Sequence, residues 1–380
     1  MIKLKEFTIE GYKSFAQSTQ IELAPLTIIF GKNDSGKSSL CRVPLFLTHI
    51  FRDKAITPFP LELSGIDFGR TLKEICYGER LQGFTGSLKL ENTPFKLVEL
   101  GGTELREKEH QQLVTRFNVI SSKKIEIEDQ DNFENIKQLI NQKLKSLKTL
   151  PECISFIGGM RLRPQRMYRF PSGIRPDIEP DGSHAAHWLF LSAQRDKKLL
   201  TAVSNWFQEY LGLEILIEQN DWGFEIQAKY PWQKINITDT GEGIGQVLPI
   251  VTTLASMATK DVEANPEKCL LIMEQPELHL HPFAHTGIAE LLVAAMNTKH
   301  SILVETHSDT LLLRIRRAIA EQRIHHNDVR FYYVNRNKDG SSTSKAIELN
   351  DRGTPSWWPR GIFSEDQEEY QAIRRALNQR

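Results

Sequence analysis

Residues 2–9 alternate between apolar and polar side chains (Ile2-Lys3-Leu4-Lys5-Glu6-Phe7-Thr8-Ile9). After the turn Gly11-Tyr12-Lys13-Ser14-Phe15 the alternation returns over residues 19–23. Period two predicts two strands, each with one buried face. The next run, Leu26-Thr27-Ile28-Ile29-Phe30, is apolar almost throughout and predicts a strand buried on both faces. Residues 40–52 read as a helix that Pro44 should end early or kink, and residues 53–70, rich in Pro and Gly, read as loop. Residues 84–90 and 95–100 predict a hairpin turning at Glu91-Asn92-Thr93-Pro94. Residues 101–150 are polar, but from 133 onward Ile136, Leu139, Ile140, Leu144 and Leu147 fall at helical spacing.

Further along, residues 153–157 predict a short strand, and Trp188-Leu189-Phe190-Leu191-Ser192-Ala193 predicts an apolar strand ending at Gln194-Arg195-Asp196. Residues 199–210 form an amphipathic helical pattern, 215–217 and 224–228 read as strands, and 247–257 as an apolar helix. Residues 268–273 and 301–306 are near-continuous apolar strands. Several runs buried on both faces imply an α/β protein with a parallel sheet beneath helices.

Between the strand at 26–30 and the helix after it lies Gly31-Lys32-Asn33-Asp34-Ser35-Gly36-Lys37-Ser38, a complete GxxxxGK[ST] loop followed by Ser39. Strand, glycine loop, helix is the context this motif needs: backbone N–H groups turn inward on phosphate oxygens, and the helix dipole favours the anion. Lys37 supplies charge for β- and γ-phosphates, and Ser38 offers a hydroxyl to Mg²⁺. The strand at 268–273 ends at Glu274-Gln275-Pro276-Glu277. An acid there suits Mg²⁺ binding, directly or through water, which nominates Glu274. The strand at 301–306 ends at His307, which can reach a γ-phosphate or orient a water. Ahead of both, Thr240-Gly241-Glu242-Gly243 opens the apolar helix as a second glycine-rich anion site.

At 380 residues the chain has room for one large domain or two ordinary ones. Lys+Arg and Asp+Glu are equal, at 48 each, which removes the simplest argument for nucleic-acid binding without excluding a local patch. The most basic stretch, 158–186, carries Arg161, Arg163, Arg166, Arg169 and Arg175 among Tyr168, Phe170 and prolines. It reads first as a solvated loop and second as an anion or DNA contact. Cys41, Cys76, Cys153 and Cys269 show no CxxC spacing, so neither zinc nor a disulfide scaffold is expected, in keeping with a reducing cytosol. No signal peptide is evident and no apolar run approaches the roughly 18–20 residues of a membrane span, so a soluble cytoplasmic protein is expected.

Five segments in order carry a resemblance: Gly-Tyr-Lys-Ser-Phe at 11–15, GKNDSGKSSL at 31–40, TDTGEGIGQVLP at 238–249, LLIMEQPELHLHP at 270–282 and LVETHSD at 303–309. Together they resemble the ABC-type ATPase heads of the SMC/Rad50 clan, and within it the short AAA-like ATPases related to the overcoming-lysogenization-defect (OLD) proteins. The resemblance implies a single ABC-type P-loop domain: a nucleotide-binding core at 1–52 and 186–350, an N-terminal antiparallel β-layer, a largely helical and basic insertion with a hairpin at 53–185, and a tail at 351–380. It implies a homodimer that sandwiches ATP. Gly31, Lys37 and Ser38 then belong to Walker A, Glu274 is the Walker B acid, and Thr240, Gly241 and Gly243 form the signature loop reaching the γ-phosphate in trans. His307 becomes the switch histidine. Lys13 or Ser14 lies near the nucleotide, and Arg195 matches a recurring arginine of no assigned role. Trp357-Trp358-Pro359-Arg360-Gly361-Ile362-Phe363, with Glu365-Asp366 after it, resembles a tail of some short members.

One departure bears on chemistry. The ABC pattern has a catalytic glutamate directly after the Walker B acid, where this chain has Gln275. An amide positions a water but takes no proton from it at neutral pH. Either hydrolysis is slow, or Glu277 or His307 takes part of the role. Glu277, His279 and His281 also admit a reading as a metal cluster, set against the simpler one of a loop that touches the partner head. The resemblance points to an ATP-gated head driving a separate effector, a nuclease or toxin, in defence against phage. A regulatory scaffold that holds a partner inactive is the second reading, and a transporter ATPase subunit the third. The chain ends about 70 residues after His307, less than the roughly 100 a Toprim nuclease needs, so no nuclease activity is expected.

Overall fold

The computed structural model describes residues 2–79, 83–93, 95–104, 112–121, 133–171, 177–259, 268–296, 300–360, 362, 370 and 372–375. Pro94, Arg175, Gly361, Phe363, Glu365 and Asp366 lie outside them. A six-stranded sheet forms the centre, in the order Ser342–Ile347, Val329–Arg336, Leu26–Gly31, Ser301–Thr306, Leu270–Glu274, Ile154–Ile157. Its first pair is antiparallel and every other pairing is parallel. Alternate residues of these strands serve two cores. Ile29, Leu303, Leu270 and Ile272 face one, while Ile28, Phe30, Ile302, Val304, Leu271 and Met273 face the other. Burial on both faces is why the runs are apolar throughout.

The first core is closed by a five-stranded antiparallel sheet, ordered Thr19–Glu22, Lys3–Glu10, Phe84–Glu91, Phe95–Glu104, Gln112–Ser121. The alternation of residues 2–9 and the hairpin at 84–100 both belong here. Two pieces of the 53–185 segment thus join sheets shared with the core: the hairpin pairs with Lys3–Glu10, and Ile154–Ile157 completes the edge of the central sheet. The second core lies under the helices Lys198–Leu211, Glu242–Ala258, Pro282–Ala295 and Asp309–Ala320. None of the described helices is long and apolar enough to cross a membrane.

Three expectations change. Residues 188–193 are helical, within His184–Gln194. The helix packs against Lys198–Leu211 and Glu242–Ala258, and Phe190 stacks on Phe224 at 4.4 Å. A helix enclosed on most sides loses its period and imitates a buried strand. The strand Gln112–Ser121 lies in a stretch expected to be merely polar. Cys153 and Cys269, 116 residues apart, form a disulfide. Each precedes one of two neighbouring core strands, an adjacency that only the fold creates.

The helix after the phosphate loop breaks where Pro44 demands, as Lys37–Cys41 followed by Val43–Thr48. The tail folds back on the centre: Trp358 stacks on Phe30 at 5.2 Å, directly before Gly31, and the Trp357 indole donates to the Ala346 carbonyl at 2.8 Å.

Candidate functional site

The C-terminal ends of three adjacent parallel strands, Leu26–Gly31, Ser301–Thr306 and Leu270–Glu274, lie side by side at one edge of the sheet, the usual place for a ligand in such a fold. The phosphate loop hangs from the first. A Cβ at Gly31 would meet the Val334 carbonyl oxygen at 2.1 Å, and one at Gly36, where φ is +93°, would meet Ser14 Oγ at 2.6 Å. Both glycines are sterically required, and Ser14 packs behind the loop. Arg336 pairs with the Asp34 carboxylate and pins the loop from outside. Lys37 is buried, and its ammonium donates to the Lys32 carbonyl at 2.6 Å, curling over the loop. Burial pushes its pKa down, while Glu305 opposes this. Ser35 Oγ is buried with no hydrogen-bond partner among the described residues. A cradle with an orphaned hydroxyl and a buried cation fits a phosphate chain.

The acids at the other two strand ends divide unexpectedly. Glu274, nominated for Mg²⁺ with Ser38, is buried and gripped by Arg42: Nε to Oε1 at 2.6 Å and Nη2 to Oε2 at 2.7 Å. The acid on the Ser38 hydroxyl is Glu305, whose Oε1 accepts from Ser38 Oγ at 2.9 Å. Glu305 is the cross-strand neighbour of Glu274. Burial, and then the charge of Glu274, pushes its carboxyl up to about 7. Sequence reasoning missed both Glu305 and Arg42. The available signal was an acid inside an otherwise apolar strand, which needs a partner or a ligand.

His307 is half-buried beside Lys37. Burial first and the lysine second pull its imidazole down to about 4, so it is neutral near pH 7 and can donate or accept without adding charge. Its backbone N–H and the Thr306 hydroxyl both donate to Glu277 Oε1 at 2.7 Å. Glu277 thus fixes the histidine's strand end. Gln275 sits at φ +44°, and its N–H donates to the Glu305 carbonyl at 2.8 Å. Of the other two residues in the Glu-x-His-x-His reading, His281 caps the helix Pro282–Ala295 through Phe283 N–H, and the His279 carbonyl lies where a Cβ on Gly243 would meet it at 2.3 Å. Among the described residues no group of three metal-ligating side chains converges.

The glycine-rich segment joins these strand ends through the basic stretch, and neither reading of that stretch describes Arg161. This arginine is buried and donates to the carbonyls of Glu274 and Gln275, each at 2.8 Å, and of Gln246 at 3.3 Å. Gln246 returns a bond to the Arg161 carbonyl at 3.0 Å. Burial lowers its guanidinium to about 10, so it stays charged at neutral pH. Arg163 pairs with Glu242 at 3.4 Å and Arg166 with Asp239. The helix that starts at Glu242 is thereby coupled to the strand end carrying Glu274. Thr240, Gly241 and Gly243 lie at its start; Gly243 faces the His279 carbonyl, whereas a Cβ on Gly241 meets nothing within 4 Å.

The sequence profile of the AAA ATPase domain family matches residues 2–152 and 192–312, which include the phosphate loop, the signature segment, both acids and His307. The chain belongs to the AAA ATPase domain family. No curated protein sequence matches it. Its fold is that of an SMC head. An Smc head bound to the C-winged-helix domain of ScpA is 12% identical with a TM-score of 0.56, over 91% of this chain and 98% of that one. An Smc head with an extended coiled coil, bound to the C-terminal domain of ScpA and derived from Pyrococcus furiosus, is 12% identical with a TM-score of 0.54, over 98% and 100%. At that identity the likeness is one of fold. The shared fold is a mainly parallel core sheet flanked by helices.

Proposed function

We propose that the chain is an ATP-binding, slowly hydrolysing head that dimerises with a second copy on ATP and drives or regulates a partner protein in the cytoplasm. The observation carrying this is the convergence of Lys37, Ser38, Glu305, Glu274 and His307 at the ends of three adjacent parallel strands. The loop residues 31–39 take the phosphates, with Lys37 on the β- and γ-groups. Ser38 and a strand-end acid would hold Mg²⁺, which when bound neutralises charge on those phosphates. Gly241 is open on its own chain and, with Thr240 and Gly243 on either side of it, would meet the γ-phosphate of a second copy. Gln275 and neutral His307 can orient a water, and Glu277 holds His307 in place for this.

Slowness follows from Gln275, since a general base contributes about 10²–10⁴ in rate. A Gln275→Glu protein is expected to turn over ATP about tenfold faster or more. A turnover above about 10 s⁻¹ in the unaltered protein contradicts the slow head. The same residue favours a second reading, an ATP-gated scaffold that hardly hydrolyses and holds a partner inactive. There Gln275→Glu leaves turnover at background while ATP still drives dimerisation. The motif resemblance to OLD-related ATPases supports a partner that is a nuclease or toxin encoded nearby and acts against phage. The Smc heads of similar fold carry a ScpA domain, a precedent for a protein docked on such a head.

A further inference from the structure

We propose that Glu305, in place of Glu274, is the carboxylate that faces the divalent cation carried by the nucleotide, acting together with Ser38. The inference rests on the ATP reading above and says which side chain completes that site.

In a phosphate-loop protein the serine after the lysine marks where the cation sits, because its hydroxyl is a ligand. Here that hydroxyl lies 2.9 Å from Glu305 Oε1. The other oxygen, Glu305 Oε2, is buried without a hydrogen-bond partner among the described residues. A carboxylate oxygen so placed is unfavourable until a ligand satisfies it. A hard cation seeking oxygen ligands does so directly. Glu274 is in the opposite state. Both its oxygens are taken by the Arg42 fork at 2.6 and 2.7 Å. Freeing it means parting a buried bidentate pair. The two acids are cross-strand neighbours, so one position on the sheet edge offers two carboxylates. Arg42 neutralises one of them and leaves the other on Ser38.

The test measures affinity for a fluorescent ATP analogue in Mg²⁺ and in EDTA, together with Mn²⁺ binding by electron paramagnetic resonance at fixed ATP. The proteins are the unaltered chain, Glu305→Gln and Glu274→Gln. Glu305→Gln is expected to weaken Mn²⁺ binding by about 10–100-fold and to erase most of the Mg²⁺-dependent gain in nucleotide affinity, with the EDTA affinity intact. Glu274→Gln is expected to keep most of both. Loss of the cation in Glu274→Gln with retention in Glu305→Gln overturns the inference while leaving ATP binding standing. No binding by the unaltered chain in either condition overturns the ATP reading itself. Should Glu305→Gln unfold, Glu305→Asp serves in its place: it keeps the charge but shortens the reach, and unweakened Mn²⁺ binding there also contradicts the assignment.

Discussion

A Lys37→Ala protein is expected to lose ATP binding by about 10²-fold or more and to stay monomeric when ATP is added. The lysine is buried in the loop with its ammonium on the Lys32 carbonyl, so it is already positioned where phosphate oxygens would arrive. Truncating one member of a desolvated charge pair costs about 2–5 kcal/mol, and about 1.4 kcal/mol is a factor of ten. The fold should survive. Burial disfavours the Lys37 charge, as its lowered pKa records, so its removal relieves a desolvation penalty. Nucleotide titration with circular dichroism as the folding control checks both halves. Unchanged ATP affinity in a folded Lys37→Ala protein contradicts the site.

The second large effect concerns stability. Arg42→Met is expected to destabilise the protein by about 3–5 kcal/mol, because Glu274 is left buried without its partner. Methionine keeps an apolar side chain over Phe156, on which the guanidinium now sits at 5.8 Å, so the charge is isolated from the packing. With unfolding entropy of roughly 2.1 cal/mol/K per residue, this corresponds to a fall in Tm of about 4–6 °C. Adding Glu274→Gln should restore much of the loss, since a neutral amide tolerates burial better than an unpaired carboxylate. Thermal or denaturant unfolding of both singles and the double measures the coupling. Additive effects would mean that the pair contributes nothing specific.

The parts of the site that are consecutive in sequence were legible from sequence. The phosphate loop and His307, which the fold brings to adjacent strand ends, each carry their spacing within a few residues. The apolar runs around them announced the parallel sheet. What escaped depends on neighbours far along the chain. Glu305 meets Ser38 across 267 positions and Arg42 meets Glu274 across 232. A lone acid in a strand and an arginine at the break between two short helices look ordinary until the sheet order is known. Arg161 escaped differently: its charge suggested solvent or an anion, while its role is to gather backbone carbonyls at the junction of three segments. The helix His184–Gln194 was read as a strand because enclosure on most sides erased its period. Four strands of the antiparallel layer were legible as strands, but only the first two as a layer. Its later strands come from beyond a long loop, and nothing local says which sheet they join.

In the proposed dimer a nucleotide is held between the loop of one copy and Thr240, Gly241 and Gly243 of another. Gly241 allows a clean probe: a Cβ there meets nothing within 4 Å among the described residues, so Gly241→Glu is expected to fold and to set a negative charge where the γ-phosphate of the partner's nucleotide would lie. The direct measurement is sedimentation with ATP and Mg²⁺ of Lys37→Ala alone, Gly241→Glu alone, and the two mixed. Each variant alone is expected to remain monomeric, and the mixture to form dimers, because pairing the intact loop of Gly241→Glu with the intact signature segment of Lys37→Ala rebuilds one whole site. Dimerisation of Gly241→Glu alone, or a mixture that stays monomeric, contradicts the shared site.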